Sequence, residues 1–177
     1  AGLSISQAVT LDSLTEQVIS GAADLSLNGG VTVNNGTLSS SGGTLSASSL
    51  NVGDEGTVNV QGGTLTLPTG GTVVTGGELA TSGTMIQLGG TLDVADTWTS
   101  TNTDLSLTAN ASLSSDTVTE LATLQTNGYT FNLASATSDL TISDGLTVNT
   151  SENQNTGVGT GDADLTLKGP LTLNSGA

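Results

Sequence analysis

The sequence predicts an all-β protein wound as a parallel β-helix (β-solenoid) with about 20 residues per coil. Three observations point there. Units of six to eight residues follow one another from Leu25 to Val94, reading LSLNGG, VTVNNG, TLSSSGG, TLSASS, LNVGDEG, TVNVQGG, TLTLPTGG, TVVTGG, ELATSG, TMIQLGG and TLDV. Within a unit, apolar residues alternate with Ser, Thr or Asn, as in Leu25-Ser26-Leu27, Val31-Thr32-Val33 and Leu65-Thr66-Leu67. Nearly every unit closes on Gly, Asn or Ser.

Each observation has a physical reading. Alternation with period two places one set of side chains on a buried face and the other in water, which is a strand and not a helical stripe. Val and Thr suit a pleated, half-buried surface. The Gly pairs at 42–43, 62–63, 76–77 and 89–90 supply the sharp corners between strands. Three units make one coil of roughly 20 residues, so the whole chain would form about eight or nine coils, stacked at about 4.8 Å into a rod on the order of 40 Å long. Asn28-Gly29, Asn35-Gly36 and Asn127-Gly128 also fit hairpin turns of an antiparallel sheet. The shared length of so many consecutive units favours the solenoid.

A second phrase, Asp-Leu-Ser/Thr-Leu/Ile, recurs at Asp24, Asp104, Asp139 and Asp164. Its first, third and last copies run on into a second short strand, through Val31, Leu146 and Leu171 respectively, which predicts one architecture over residues 1–177. Two stretches look less regular, 95–135 and 151–162, and are candidate protruding loops. In residues 115–127, Val118, Leu121 and Leu124 have helical spacing, with Thr117 and Glu120 as a weak capping box, so a short helix or a loop is expected there. Residues 1–20 carry a similar pair, Ser13 and Glu16, where a further strand pair is an equal reading. The chain opens at Ala1 and closes at Ala177 in mid-pattern, which predicts a segment excised from a longer protein.

Composition narrows the function. The chain has 177 residues, one Lys or Arg against 16 Asp and Glu, and a formal net charge of -15. Nucleic acid requires clustered cations, and Lys168 stands alone, so nucleic-acid binding is not expected. The acidity would keep copies of a repetitive β protein apart. With neither Cys nor His, thiol catalysis, thiolate metal sites and the usual general base are all missing. No run of about 18 apolar residues is present, so membrane insertion is not expected. Aromatics make up 2%, which demands a narrow core of Leu, Val, Ile and Ala.

The stretch GGTLTLPTGGTVVTGGELATSGTMIQLGGTLDV and the phrase ADLTLKGPLTLNSGA resemble bacterial β-strand-repeat surface exoproteins, namely autotransporter adhesin passengers and filamentous-haemagglutinin-like proteins. The likeness covers most of residues 21–177, more weakly over 95–135. It implies a parallel β-helix, secretion, and a role in adhesion or self-association. The partners expected are host or neighbouring-cell surfaces, glycans or further copies of the chain, and a self-assembling fibre or surface-layer subunit is the alternative role. It implies no catalytic residues.

Four constellations bear on chemistry. Paired carboxylates (Asp93 with Asp96, Asp54 with Glu55, Asp162 with Asp164) lack the aromatic platforms and basic partners of a glycan-cleaving groove, so the chain is read as a non-enzyme. Asn153, Asn155, Asp162 and Asp164 offer hard oxygen ligands and form the candidate site for a structural calcium, with Asp54 and Glu55 second. No other cofactor is expected. Outward Thr residues (Thr64 and Thr66; Thr97, Thr99, Thr101 and Thr103) raise ice binding as an alternative. Trp98 and Tyr129 are the candidate aromatic anchors for a glycan ligand.

Overall fold

The computed structural model describes residues 2–115, 117, 120–133, 139–149, 158–159 and 163–174, with the backbone alone for 54 and 69–75. Among these residues there is no helix, and parallel strands stack as a β-solenoid of about seven turns, roughly 21 residues each. Turn length varies along the axis: Leu146 pairs with Leu171, 25 residues on, where Leu25 pairs with Leu45, 20 residues on.

Each coil has three sides. The first wall is built from Leu3–Ile5, Leu25–Leu27, Thr44–Ala47, 64–67, 85–88, Asp104–Leu107, 124–125, 145–148 and Leu171–Leu173, each paired in parallel with the next. The second wall runs from 9–11 through 31–33, 50–52, 73–75, 91–94 and Ala111–Ser115 to Phe131–Leu133 and Val158–Gly159. The third stacks 17–19, 37–40, 57–61, Glu78–Ser82 and Thr97–Thr101, and higher in the chain 120–121, 140–142 and Leu165–Leu167. Among the described residues all strand pairings are parallel, so the hairpin alternative does not hold there. Asn127 and Gly128 do adopt the positive φ of a type I′ turn. Here that turn carries the chain round a corner, from 124–125 on the first wall to Phe131 on the second, whose partners are Ala111 and Val158 in adjacent coils.

The interior is a set of aliphatic ladders. Leu25, Leu45, Leu65, Ile86, Leu105 and Leu124 stack on the first wall, and Val31, Leu50 and Leu92 lie on the second, all buried. Fully burying each such side chain favours the fold by about 1.5–3 kcal/mol. Phe131 is fully buried, and its partner in the preceding coil is the small Ala111. The corners set a second demand. Gly63 sits at φ +76°, and a Cβ there would lie 2.3 Å from the carbonyl oxygen of Gly43 in the coil before it, so only glycine allows the coils to close up at that corner.

Within 115–127, the segment expected as a helix or loop, Glu120–Gln125 is a strand, and Val118 lies outside the described residues. The helical spacing of Leu121 and Leu124 comes from a corner. Leu121 belongs to the third wall, opposite Ile142, and Leu124 to the first, opposite Leu146, with a register shift between 121 and 123. One extra residue at a corner resets the alternation, so two inward residues fall three apart without a helix. Much of the 95–135 stretch likewise continues the walls, through Thr97–Thr101, Asp104–Leu107, Ala111–Ser115 and Phe131–Leu133. Near the start, Glu16 does reach back to the Ser13 N–H at 3.1 Å, as a capping box would, and also takes the Asp12 N–H at 2.6 Å. It closes a bend inside the strand Val9–Ile19.

Some interior positions are polar. Trp98 donates its Nε1–H to Thr81 Oγ1 at 3.0 Å, and the Thr81 and Thr103 hydroxyls meet at 2.9 Å. Thr84 donates to the Val60 carbonyl at 2.8 Å. The Ser40 hydroxyl, by contrast, is buried without a partner. Two opposite outcomes are expected in urea unfolding followed by circular dichroism. Leu79→Ala, in the middle of a closed ladder, should cost about 2–5 kcal/mol, whereas Ser40→Ala should gain about 1 kcal/mol by removing an unpaired buried hydroxyl.

Candidate functional site

The candidate calcium ligands do not come together in what the structure describes. Asn153, Asn155 and Asp162 lie outside the described residues. Asp164 is described, and its place in the fold gives it another setting. It opens the strand Leu165–Leu167, and its N–H donates to the Asp139 carboxylate of the coil before at 3.0 Å.

That contact recurs. The Asp24 carboxylate accepts the Thr44 N–H of the next coil at 2.8 Å, and Asp104 Oδ1 accepts from the Thr123 hydroxyl of the next coil at 2.5 Å. In three copies of the Asp-Leu-x-Leu phrase, the Asp stands at the start of a strand and ties one coil to its successor. A carboxylate receiving a donor from the coil below satisfies a group freed by the corner, where wall-to-wall pairing breaks off. The phrase was visible in the sequence. Its role was not, because the donor lies some 20 residues away and is named only by the stacking.

Of the second pair, Glu55 borders a real depression. Asn34, Asn35, Gly53 and Glu55 line an open hollow of about 390 Å³ at the corner between the second and third walls. Asp12, Asn35 and Glu55 stack here in successive coils, and Asn34 Nδ2 donates to Asp12 Oδ1 at 2.6 Å. Gly56 gives the corner its depth, since a Cβ there would lie 2.0 Å from the Val33 carbonyl oxygen. The hollow is thus lined by amides and carboxylates. Among the described residues, no three His, Cys, Asp or Glu side chains gather as they would around a metal ion. The other carboxylate pair is split by a corner: Asp93 lies on the second wall, and Asp96 stands before the third.

The surface alternatives find little geometry. Thr64 and Thr66 lie on the first wall between Thr44 and Ser46 in one neighbouring coil and Met85 and Gln87 in the other, so the paired Thr do not repeat down the wall as an ice-matching lattice requires. Trp98 is buried, with its indole N–H spent inside, and Tyr129 is partly buried against the core. Trp98 therefore presents no open ring to a ligand. What the walls do offer is rows of short polar groups, such as Ser26, Ser46, Thr66 and Gln87 on the first wall.

Compared with protein-family models, with curated proteins and with solved structures, the chain matches none.

Two outcomes are expected from this geometry. Asp24→Ala should lower stability by about 1 kcal/mol, as loss of a charge-assisted bond at an exposed corner, and Asp24→Asn should recover most of it by keeping an acceptor oxygen. Trp98 should emit at short wavelength, resist quenching by iodide, and stay unmoved when soluble oligosaccharides are added.

Proposed function

We propose that this chain is a structural and adhesive segment, a stalk or adhesin portion, of a large secreted or cell-surface bacterial protein, and that it has no catalytic role. The observation that carries the reading is the division of labour in each coil. Inward positions hold the fold through Leu, Val and Ile, and outward positions carry Ser, Thr, Asn and Gln at regular spacing along a rod. A surface of this kind gives weak contacts repeated many times, and repetition converts weak contacts into useful avidity. The resemblance of the Gly-Gly-Thr-Leu and Asp-Leu-Thr-Leu phrases to bacterial surface exoproteins supports the same reading. So does the charge, which keeps such rods from clustering sideways.

The partners proposed are host or neighbouring-cell surfaces and their glycans, with the chain outside the cell. Calcium stays a candidate structural ligand at Asn153, Asn155, Asp162 and Asp164.

Two measurements test the reading. Small-angle scattering should give an elongated particle about 35 Å long, seven turns at about 4.8 Å each. Beads densely coated with the chain should adhere to cells or to a glycan panel, with binding falling steeply as coating density is lowered, whereas the chain in solution binds weakly. Turnover of any glycan by the purified chain would overturn the non-catalytic proposal, and tight binding by single copies would overturn the multivalent one.

A further inference from the structure

The carboxylates of this chain are unevenly placed around the solenoid. Asp24 and Asp104 stand at the starts of first-wall strands, Glu78 and Glu120 at the starts of third-wall strands, and Asp12 and Glu55 at the corner between the second wall and the third. One stripe has none. It begins with a row of half-exposed side chains on the first wall, Ser26, Ser46, Thr66, Gln87, Ser106 and Gln125, paired coil on coil. It turns the corner through Asn28, Ser48 and Thr108 and ends on the second wall at Thr91 and Ser112, with Asp93 marking its far edge. The segments that run through it, 25–53, 79–92, 105–115 and 121–133, hold no charged residue.

The stripe is a line of hydroxyls and amides, each able both to donate and to accept a hydrogen bond. Contacts along the axis hold parts of it in place: Thr66 donates to Gln87 Oε1 at 3.2 Å, and Asn127 Nδ2 donates to Ser106 Oγ at 2.8 Å. Its neutrality selects what can lie on it. A hydroxyl-rich polymer laid over a carboxylate would strip water from a charge. Over this stripe it exchanges water for groups of its own kind. A polyanion is repelled by the chain's net charge of -15. Spacing agrees as well. Coils follow one another at about 4.8 Å, close to the rise of one sugar in an extended β-1,4-linked hexose chain, so ring can follow ring as coil follows coil. A second copy of the protein fits less well. The stripe is narrow and covers less than the ~800 Å² per partner of a standard stable interface. Among the described residues it holds no large exposed apolar side chain to form an interface core. Pairing two copies would also bring their acidic flanks together.

We infer that an extended, neutral, β-linked polysaccharide of the surface to which the chain adheres lies along this stripe, parallel to the solenoid axis, with about one sugar to each coil. The inference rests on the adhesive reading and gives it a binding face. Each sugar contributes little, because its hydrogen bonds to the protein replace hydrogen bonds to water. Affinity therefore accumulates with the number of coils the polymer spans.

The experiment is titration calorimetry of the 177-residue chain with cello-oligosaccharides of increasing length, and with an acidic counterpart, oligogalacturonate. Affinity for the neutral series should rise roughly threefold per added sugar, with little dependence on salt, and the acidic series should not bind. Ser46→Asp puts a carboxylate in the middle of the stripe and should weaken binding at least tenfold, whereas Ser46→Thr should bind as the parent does. Asn59→Asp makes the same change of charge on the third wall and should leave binding unchanged. Circular dichroism of all three should match the parent, since each site is on an outer face. No binding at any length, affinity that does not grow with length, or Ser46→Asp binding as well as Asn59→Asp would each overturn the inference. Self-association that Ser46→Asp abolishes, with no sugar bound, would overturn it in favour of a second copy. The adhesive reading is tested apart from it. Beads coated with Ser46→Asp that adhere to cells as the parent's do would remove the stripe and leave adhesion standing, whereas parent-coated beads that adhere to nothing would remove adhesion even if free oligosaccharides bind.

Discussion

Every feature of this molecule depends on one contact repeated along an axis: a coil lies on the next in parallel register, so that like sits on like. Backbone pairing fixes the spacing, and the spacing brings aliphatic side chains into ladders. In a globular protein of this length the core is a volume, filled by large and irregular side chains. Here it is a column one coil wide, which Leu, Val and Ile fill at every level. That explains how a chain with 2% aromatics folds at all. It also bears on irregularity: the partner of Phe131 is the small Ala111, and Trp98 needs the Thr81 hydroxyl to take its indole N–H.

The register demand falls hardest on corners. Strand pairing stops there, leaving donors and acceptors that must find partners along the axis. Two solutions appear. Where the backbones of adjacent coils come close, as at Gly43 and Gly63, the absence of a side chain lets the corners nest. Where they stand apart, an Asp or Thr side chain spans the step, as Asp24 does to Thr44 and Asp139 to Asp164. Acidity is therefore partly architectural. Some of the carboxylates that make the chain so negative are clamps between coils.

This shows which features could be read from the residues alone. Walls were legible, because period-two alternation depends only on neighbours in sequence. So were many corners, through their Gly pairs. Contacts that run between coils were not. The clamp made by each Asp joins residues about 20 to 25 apart, and nothing local distinguishes it from a solvated turn carboxylate or a metal ligand. Leu121 and Leu124 were misread for a related reason: a corner inserted between two inward residues imitates a helical step, and only the pairing of Leu121 with Ile142 and of Leu124 with Leu146 separates the two. The hollow beside Asn34 and Glu55 forms from three coils at once. Of its lining residues only Glu55 stands out in the sequence as a candidate ligand, and the shape of the hollow has no local signal.

The same constraint bears on function. Inward positions are held by the column and corners by the clamps, so outward positions on the walls are the ones left free to change. Ser26, Ser46, Thr66 and Gln87 lie in one row down the first wall, and any of them could be exchanged for another small polar residue at little cost to the fold. Stability and surface are thereby carried by separate sets of residues: the polar rows can diverge while the aliphatic column and the corner clamps stay fixed.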